Sequence, residues 1–352
     1  MNPFRFRRLA SLGALSALAF AACSQDTAGP VPVVPVTRSV TLDASAAYAY
    51  LALDTISQIV SVADPAGSTA WDMGFFSTTI TLNGGAAGPG SVAAWCVCNN
   101  DGATTAEIQA MTPENQLAAF EAVTAADIPS ADQFASDQLD PVINGWYSGS
   151  GQNASLVAGR TWIVREGSGA GVVLAKVRVA AIANQTAAGP AQLTLEYAVQ
   201  PSPGAAFGPV YTATFNPAAG PVYVDLTTAA VTGPSNWDLR FEGWNILVNG
   251  GVSGSGTIRA VLDTTTPFAN IDAAYAATAP AQAYRADRYA GVFNASPWYR
   301  YNITGTDNQI WPTFQVYLIR RGSEVFKVQV VSYYSSTGTP RQITVRYAKL
   351  AE

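Results

Sequence analysis

From Val36 onward the chain is written in short runs where apolar and polar residues alternate, separated by Gly, Asn and Pro. A period of two puts every second side chain on one face of a strand, so these runs predict half-buried β-strands joined by tight turns. Gln192-Leu193-Thr194-Leu195-Glu196-Tyr197 follows the pattern strictly, with Leu193, Leu195 and Tyr197 on one face. Trp71, Met73 and Phe75 share the inner face of another predicted strand, as do Trp237, Leu239 and Phe241 further on. Asn83-Gly84-Gly85 and Asn249-Gly250-Gly251 read as turns that need positive φ. Gly167, Gly169 and Gly171 lie between two strand-like runs with no helix after them, which predicts a hairpin turn and not a phosphate cradle. One stretch departs from the period: Thr112-Pro113-Glu114 offers an N-cap, a proline at the first helical position and an acidic first turn ahead of Leu117 and Phe120. It predicts a short helix. The fold class is therefore all-β, a strand-rich sandwich or meander with a short helix in its first half.

The pattern is written twice. Trp71-Asp72 is followed 12 residues later by Asn83-Gly84-Gly85, and Trp237-Asp238 is followed 12 residues later by Asn249-Gly250-Gly251. Gly88 and Gly90 match Gly254 and Gly256 at the same offsets. Later, Trp146-Tyr147 corresponds to Trp298-Tyr299, Arg165 to Arg320, Lys176-Val177 to Lys327-Val328, and the strand Gln192–Tyr197 to Gln342–Tyr347. Tandem duplication is the economical explanation, with one domain at 37–202 and the other at 206–352, joined through the Pro/Gly-containing stretch from Pro201 to Gly208.

The N-terminus belongs to neither copy. Arg5, Arg7 and Arg8 precede an apolar run from Leu9 to Ala22 that is too short for a lasting membrane helix, so 1–22 reads as a signal peptide. Phe20-Ala21-Ala22-Cys23 resembles a lipobox, which predicts lipidation at Cys23 and attachment to a membrane through the lipid. Residues 23–36 carry three prolines and read as a stiff tether. Ser24, where a retention aspartate would stand, favours an outer-membrane lipoprotein facing the periplasm or the cell surface.

Charge and composition then narrow the chemistry. Taking the three signal arginines from 19 Lys+Arg leaves 16 against 24 Asp+Glu, a mature charge of −8 that argues against nucleic acid as a partner. The chain has no histidine, which excludes Ser-His-Asp, Cys-His and His-metal chemistry outright. Asp72 and Asp238 could be paired carboxylates, but as equivalent residues in separate copies they read as repeated structural positions, and the chain is expected not to be an enzyme. Cys96 and Cys98 suit a disulfide outside the cytoplasm better than a soft-metal site, because no second Cys pair or His accompanies them.

At Val36–Ser45, at the Trp71-Asp72-Met73 to Asn83-Gly84-Gly85 block, and at Lys327–Tyr334 and Ile343–Tyr347, the chain resembles the HmuY haem-binding lipoproteins. The resemblance implies an all-β haemophore in two tandem copies, haem or another planar tetrapyrrole as its cofactor, and an outer-membrane haem receptor or other surface protein as its partner. It also implies two axial ligands on the iron, histidines in the founding type and methionines in some relatives. One lies shortly after the equivalent of Trp298, where this chain has Tyr301, Asn302 and Ile303. The other lies in a preceding hairpin, for which Asp137–Gly145 and Asp287–Pro297 look too short. Met73 matches Leu239 and reads as core, while Met111 has no counterpart and is a candidate ligand. Tyrosine can also hold haem iron as phenolate and arginine can pair with carboxylates, so Tyr299, Arg300, Tyr301, Tyr333 and Tyr334 complete the candidate site. Trp244, Arg320 and Arg321 belong to the same half of the sequence. The competing reading is a structural or adhesive surface lipoprotein that binds no haem.

Overall fold

The computed structural model describes residues 36–53, 58–228 and 230–351. Cys23, the expected signal peptide and nearly all of the expected tether lie outside those residues. Among the described residues, antiparallel strands make up two five-stranded sheets and two four-stranded sheets, with three smaller pairs.

The repeated Trp-Asp block shows why its spacing is fixed. Met73–Phe76 and Thr79–Leu82 form a tight hairpin in which Met73 faces Leu82, so Asn83 returns beside Asp72. The Asn83 amide donates to the Asp72 carbonyl at 2.9 Å, and its side-chain Nδ2 donates to the Trp71 carbonyl at 2.7 Å. Its Oδ1 accepts the Gly90 amide at 3.0 Å. The second copy repeats every bond: Asn249 to Asp238 at 2.9 Å, to Trp237 at 2.8 Å, and from Gly256 at 3.0 Å. One side chain thus satisfies backbone groups that burial would otherwise leave orphaned. Gly85 and Gly251 have φ of 63° and 66°, and a Cβ on either would strike the carbonyl oxygen of Asp137 or Asp287.

Sheet pairing does not follow the repeat boundaries. One five-stranded sheet runs, in order, Arg38–Asp43, Pro340–Ala351, Glu324–Tyr334, Val316–Arg321 and Val92–Cys96, so it takes its edge strands from the first repeat and its centre from the second. The other runs Tyr211–Phe215, Gly189–Val199, Val173–Thr186, Thr161–Glu166 and Arg259–Asp263, with the exchange reversed. The two copies expected from the sequence share their sheets. Within one compact unit, the sheets and core clusters group into an outer lobe, built from 36–137 and 288–351, and an inserted lobe, the continuous segment 138–287.

Each lobe is a sandwich. In the outer lobe, Met73, Phe75 and Leu82 of the small sheet meet Leu42, Tyr317, Phe326, Val328 and Tyr347 of the large one, all buried. Leu239, Phe241 and Val248 meet Trp162, Val177, Leu195 and Tyr197 in the inserted lobe. The chain passes between lobes along two short antiparallel strands, Gln138–Asp140 and Arg288–Ala290, stapled by an ion pair of 2.8 Å between Arg288 and Asp140. These are the connections that looked too short for a ligand-bearing hairpin, and they serve as the crossover instead.

A loop segment covers the back of each large sheet. In the outer lobe it carries helices at Thr105–Ala110 and Leu117–Ala122. The expected helix begins at Leu117 and not at Pro113: Gln116 is its N-cap, and Thr112 bonds with Asn115 in the turn before it. The first helix was missed although Thr104 and Glu107 form a capping box. Lys327 is buried and donates to the carbonyls of Phe120 and Val123 at 2.9 and 2.8 Å, fixing the end of the second helix. Lys176 does the same for Phe268 and Ile271 at 2.8 and 2.7 Å. Each lysine reaches a segment of the other repeat. Short helices also occur at Ala273–Ala276 and Val292–Ala295, so helix is not confined to the first half as expected. The glycines at 167, 169 and 171 form the turn between Thr161–Glu166 and Val173–Thr186, as expected.

Candidate functional site

The candidate tyrosines gather where the outer lobe's core reaches the surface. Trp298 is buried and donates its indole N–H to the Thr78 carbonyl at 3.0 Å. Its ring lies 4.9 Å from Tyr299 and 6.2 Å from Tyr333, and Tyr333 meets Tyr334 edge-on at 5.1 Å. A β-bulge between Val330 and Ser332 precedes these tyrosines, and Tyr333 is buried in the core. The hydroxyl of Tyr334 accepts the Ile310 amide at 3.0 Å, which pins down a hairpin formed by Tyr299–Tyr301 and Ile310–Pro312.

Alternation along that hairpin separates the two exposed candidates. Tyr299 packs on the core, Arg300 faces the other side opposite Trp311, and Tyr301 is 57% exposed opposite Ile310. The loop between the strands holds itself: Tyr301 donates its O–H to Asn308 at 2.9 Å, and the Trp311 indole donates to Asp307 at 2.9 Å. Trp311 was not anticipated from sequence, because only the strand pairing places it opposite Arg300.

Other candidates lie elsewhere. Met111 caps the Thr105–Ala110 helix and lines a polar groove of about 490 Å³ with Asn99, Asn100, Glu107 and Asn115, but no tyrosine. Met73 is fully buried in the core, as its match to Leu239 implied. Trp244 belongs to the inserted lobe, 5.9 Å from Trp146 and 4.6 Å from Tyr147. Arg320 sits over Phe134 at 5.0 Å, and Arg321 bonds Asp72 at 2.9 Å, both at the end of the Val316–Arg321 strand remote from Tyr333. Proximity in sequence does not make Trp244, Arg320 or Arg321 part of the tyrosine cluster. Cys96 and Cys98 are joined in a disulfide, as expected.

Asp72 and Asp238 are structural. Their Oδ2 atoms accept the amides of Leu53 and Leu226 at 2.6 and 2.8 Å, in separate lobes. Burial raises both carboxyls, that of Asp238 to about 6. Among the described residues no three His, Cys, Asp or Glu side chains come together as a metal site, and no helix is long and apolar enough to cross a membrane.

The family model for the HmuY protein matches residues 44–197 and 219–347. The chain belongs to the HmuY family. A solved structure of a protein assigned as a lipoprotein from Bacteroides fragilis is 18% identical, with a TM-score of 0.18 over 38% of this chain and 83% of that one. A protein assigned as HmuY-like and haem-binding, from Bacteroides vulgatus, is 12% identical with a TM-score of 0.18 over 38% of this chain and 86% of that one. No curated protein matches.

HmuY membership makes the donor set the question. A two-ligand haem site does not fit the tyrosine cluster. Tyr333 is buried, Tyr334 is occupied by the Ile310 amide, and Tyr301 is the sole phenol of the cluster standing mostly in solvent. Met111 lies in another groove.

Proposed function

We propose that this chain is an exported, non-catalytic lipoprotein, anchored through Cys23 in the outer membrane, that captures haem or another planar tetrapyrrole outside the cell for delivery to a receptor. HmuY membership supports the ligand class. The single observation that carries the site is Tyr301, exposed on an aromatic hairpin three residues after the buried Trp298. Capture there relies on stacking against aromatic rings more than on paired axial ligands. Tyr299, Tyr333 and Tyr334 support the hairpin from the core side. Met111 is left with no role in this site.

The experiment is a haemin titration of the full chain under oxidising and reducing conditions. A shifted Soret band, weakened about tenfold in Tyr301→Ala, is the expected result. No spectral change in either redox state removes the reading. The second reading, a structural or adhesive lipoprotein, is favoured by the absence of two facing donors. Tight binding of haemin would discard it.

A further inference from the structure

The two lobes differ most where a loop segment crosses the back of the large sheet. In the outer lobe the segment 97–134 closes over the sheet. Arg346 donates to the Pro113 carbonyl and to Gln329, each at 2.6 Å, and Gln329 donates to the Phe314 carbonyl at 2.5 Å. The inserted lobe has only 264–284 for the same task. Arg178 and Glu196 replace the Gln329–Arg346 pair, and a groove of about 380 Å³ stays open. The charged side chains lining it are both arginines, Arg160 and Arg178, on a chain whose net charge is −5. Arg178 lies 4.8 Å above the Phe268 ring and gives Nε and Nη2 to a single Glu196 oxygen at 2.9 and 2.6 Å, leaving Nη1 unbonded. Arg160 forms no hydrogen bond or ion pair among the described residues. Asp263, paired across the strands with Thr161, forms no ion pair with it; its oxygens accept the Thr265 and Thr266 amides and the Tyr275 hydroxyl.

We propose that this groove binds a small oxyanionic ligand, with the Arg160 fork as its main contact, Nη1 of Arg178 as the second, and Thr264 on the rim for a hydroxyl group. A free guanidinium beside a half-used one suits a carboxylate or phosphate, which accepts two parallel N–H donors. The volume is that of a small-molecule site. This site lies in the lobe that lacks the tyrosine hairpin, so it stands or falls apart from tetrapyrrole binding.

Isothermal titration of the full chain at low salt, with D-glucuronate and with inorganic phosphate, tests it. Saturable binding of either probe is expected, weakened at least tenfold in Arg160→Gln and less in Arg160→Lys, which keeps the charge and loses the fork. Tighter glucuronate assigns the groove to an organic acid, and tighter phosphate to a phosphorylated ligand. Because Arg160 bonds nothing in the fold, both variants should melt with the wild type. Binding of neither probe, or binding unchanged in Arg160→Gln, overturns the proposal.

Discussion

Asp72 and Asp238 hold the same place in the two lobes and meet opposite charges. Asp72 is paired with Arg321, itself bonded to Glu324, which is bonded in turn to Lys349. Asp238 faces Glu166 at the position of Arg321, and Glu166 and Asp225 add to burial in raising its carboxyl. Both aspartates nevertheless accept a backbone amide at the same point of the fold. The difference separates two kinds of residue. Those that satisfy buried backbone groups (Asn83 and Asn249, Lys327 and Lys176, Gly85 and Gly251) recur in both lobes. Those that meet other side chains, such as Arg321 or the Gln329–Arg346 pair, have been exchanged for Glu166 and for Arg178 with Glu196, and the arginine-lined groove lies in the inserted lobe.

The largest expected effect tests the shared set. Asn83→Ala leaves the Trp71 carbonyl and the Gly90 amide unmet and should cost about 3 kcal/mol in chemical denaturation. Asn249→Ala, less buried, should cost about 2 kcal/mol. A loss in one lobe but not the other would break the equivalence. Arg321→Ala strands the Asp72 carboxylate and should cost about 2 kcal/mol, discounted because the arginine is partly exposed.

The third expected effect concerns pH. The Asp238 carboxyl rises from 3.8 to about 6 on folding, so between those values the native state binds more protons than the unfolded chain. Stability should therefore fall as pH rises through that window and recover on acidification, by on the order of 1 kcal/mol after solvent screening. Asp238→Asn should lose this component in parallel denaturation curves at pH 4 and 7. An identical pH profile would contradict it. The smallest effect is the converse of the arginine loss: Glu166→Arg should supply the missing partner of Asp238 and raise stability by about 0.5 kcal/mol.

Much of the fold was legible because it is local. The 12-residue spacing encodes a hairpin closed by asparagine, and the period of two in Gln192–Tyr197 encodes a strand with Leu193, Leu195 and Tyr197 inside. Strand partnership was not legible. Arg38–Asp43 can pair equally well, by local pattern, with Gln192–Tyr197 or Gln342–Tyr347, since duplication made those strands alike, and only the crossover at Asp140 and Arg288 decides. The candidate site was legible in part. Tyr299, Tyr333 and Tyr334 meet as expected because each flanks the same core, whereas Trp311 lies across a strand pairing and Met111 belongs to a groove formed by a separate segment. Arg160 gave no signal at all, because an unpaired cation is defined by what fails to reach it.

The account depends above all on each lobe being built from both repeats. Thr41 faces Thr344, with their hydroxyls 2.9 Å apart, and Thr194 faces Thr214 at 3.1 Å. Two double variants, Thr41→Cys with Thr344→Cys and Thr41→Cys with Thr194→Cys, can be oxidised and mapped for disulfides by peptide mass spectrometry. Interleaved lobes predict a 41–344 bridge and no 41–194 bridge. A 41–194 bridge without the other would mean that each repeat closes on itself, and would contradict the account.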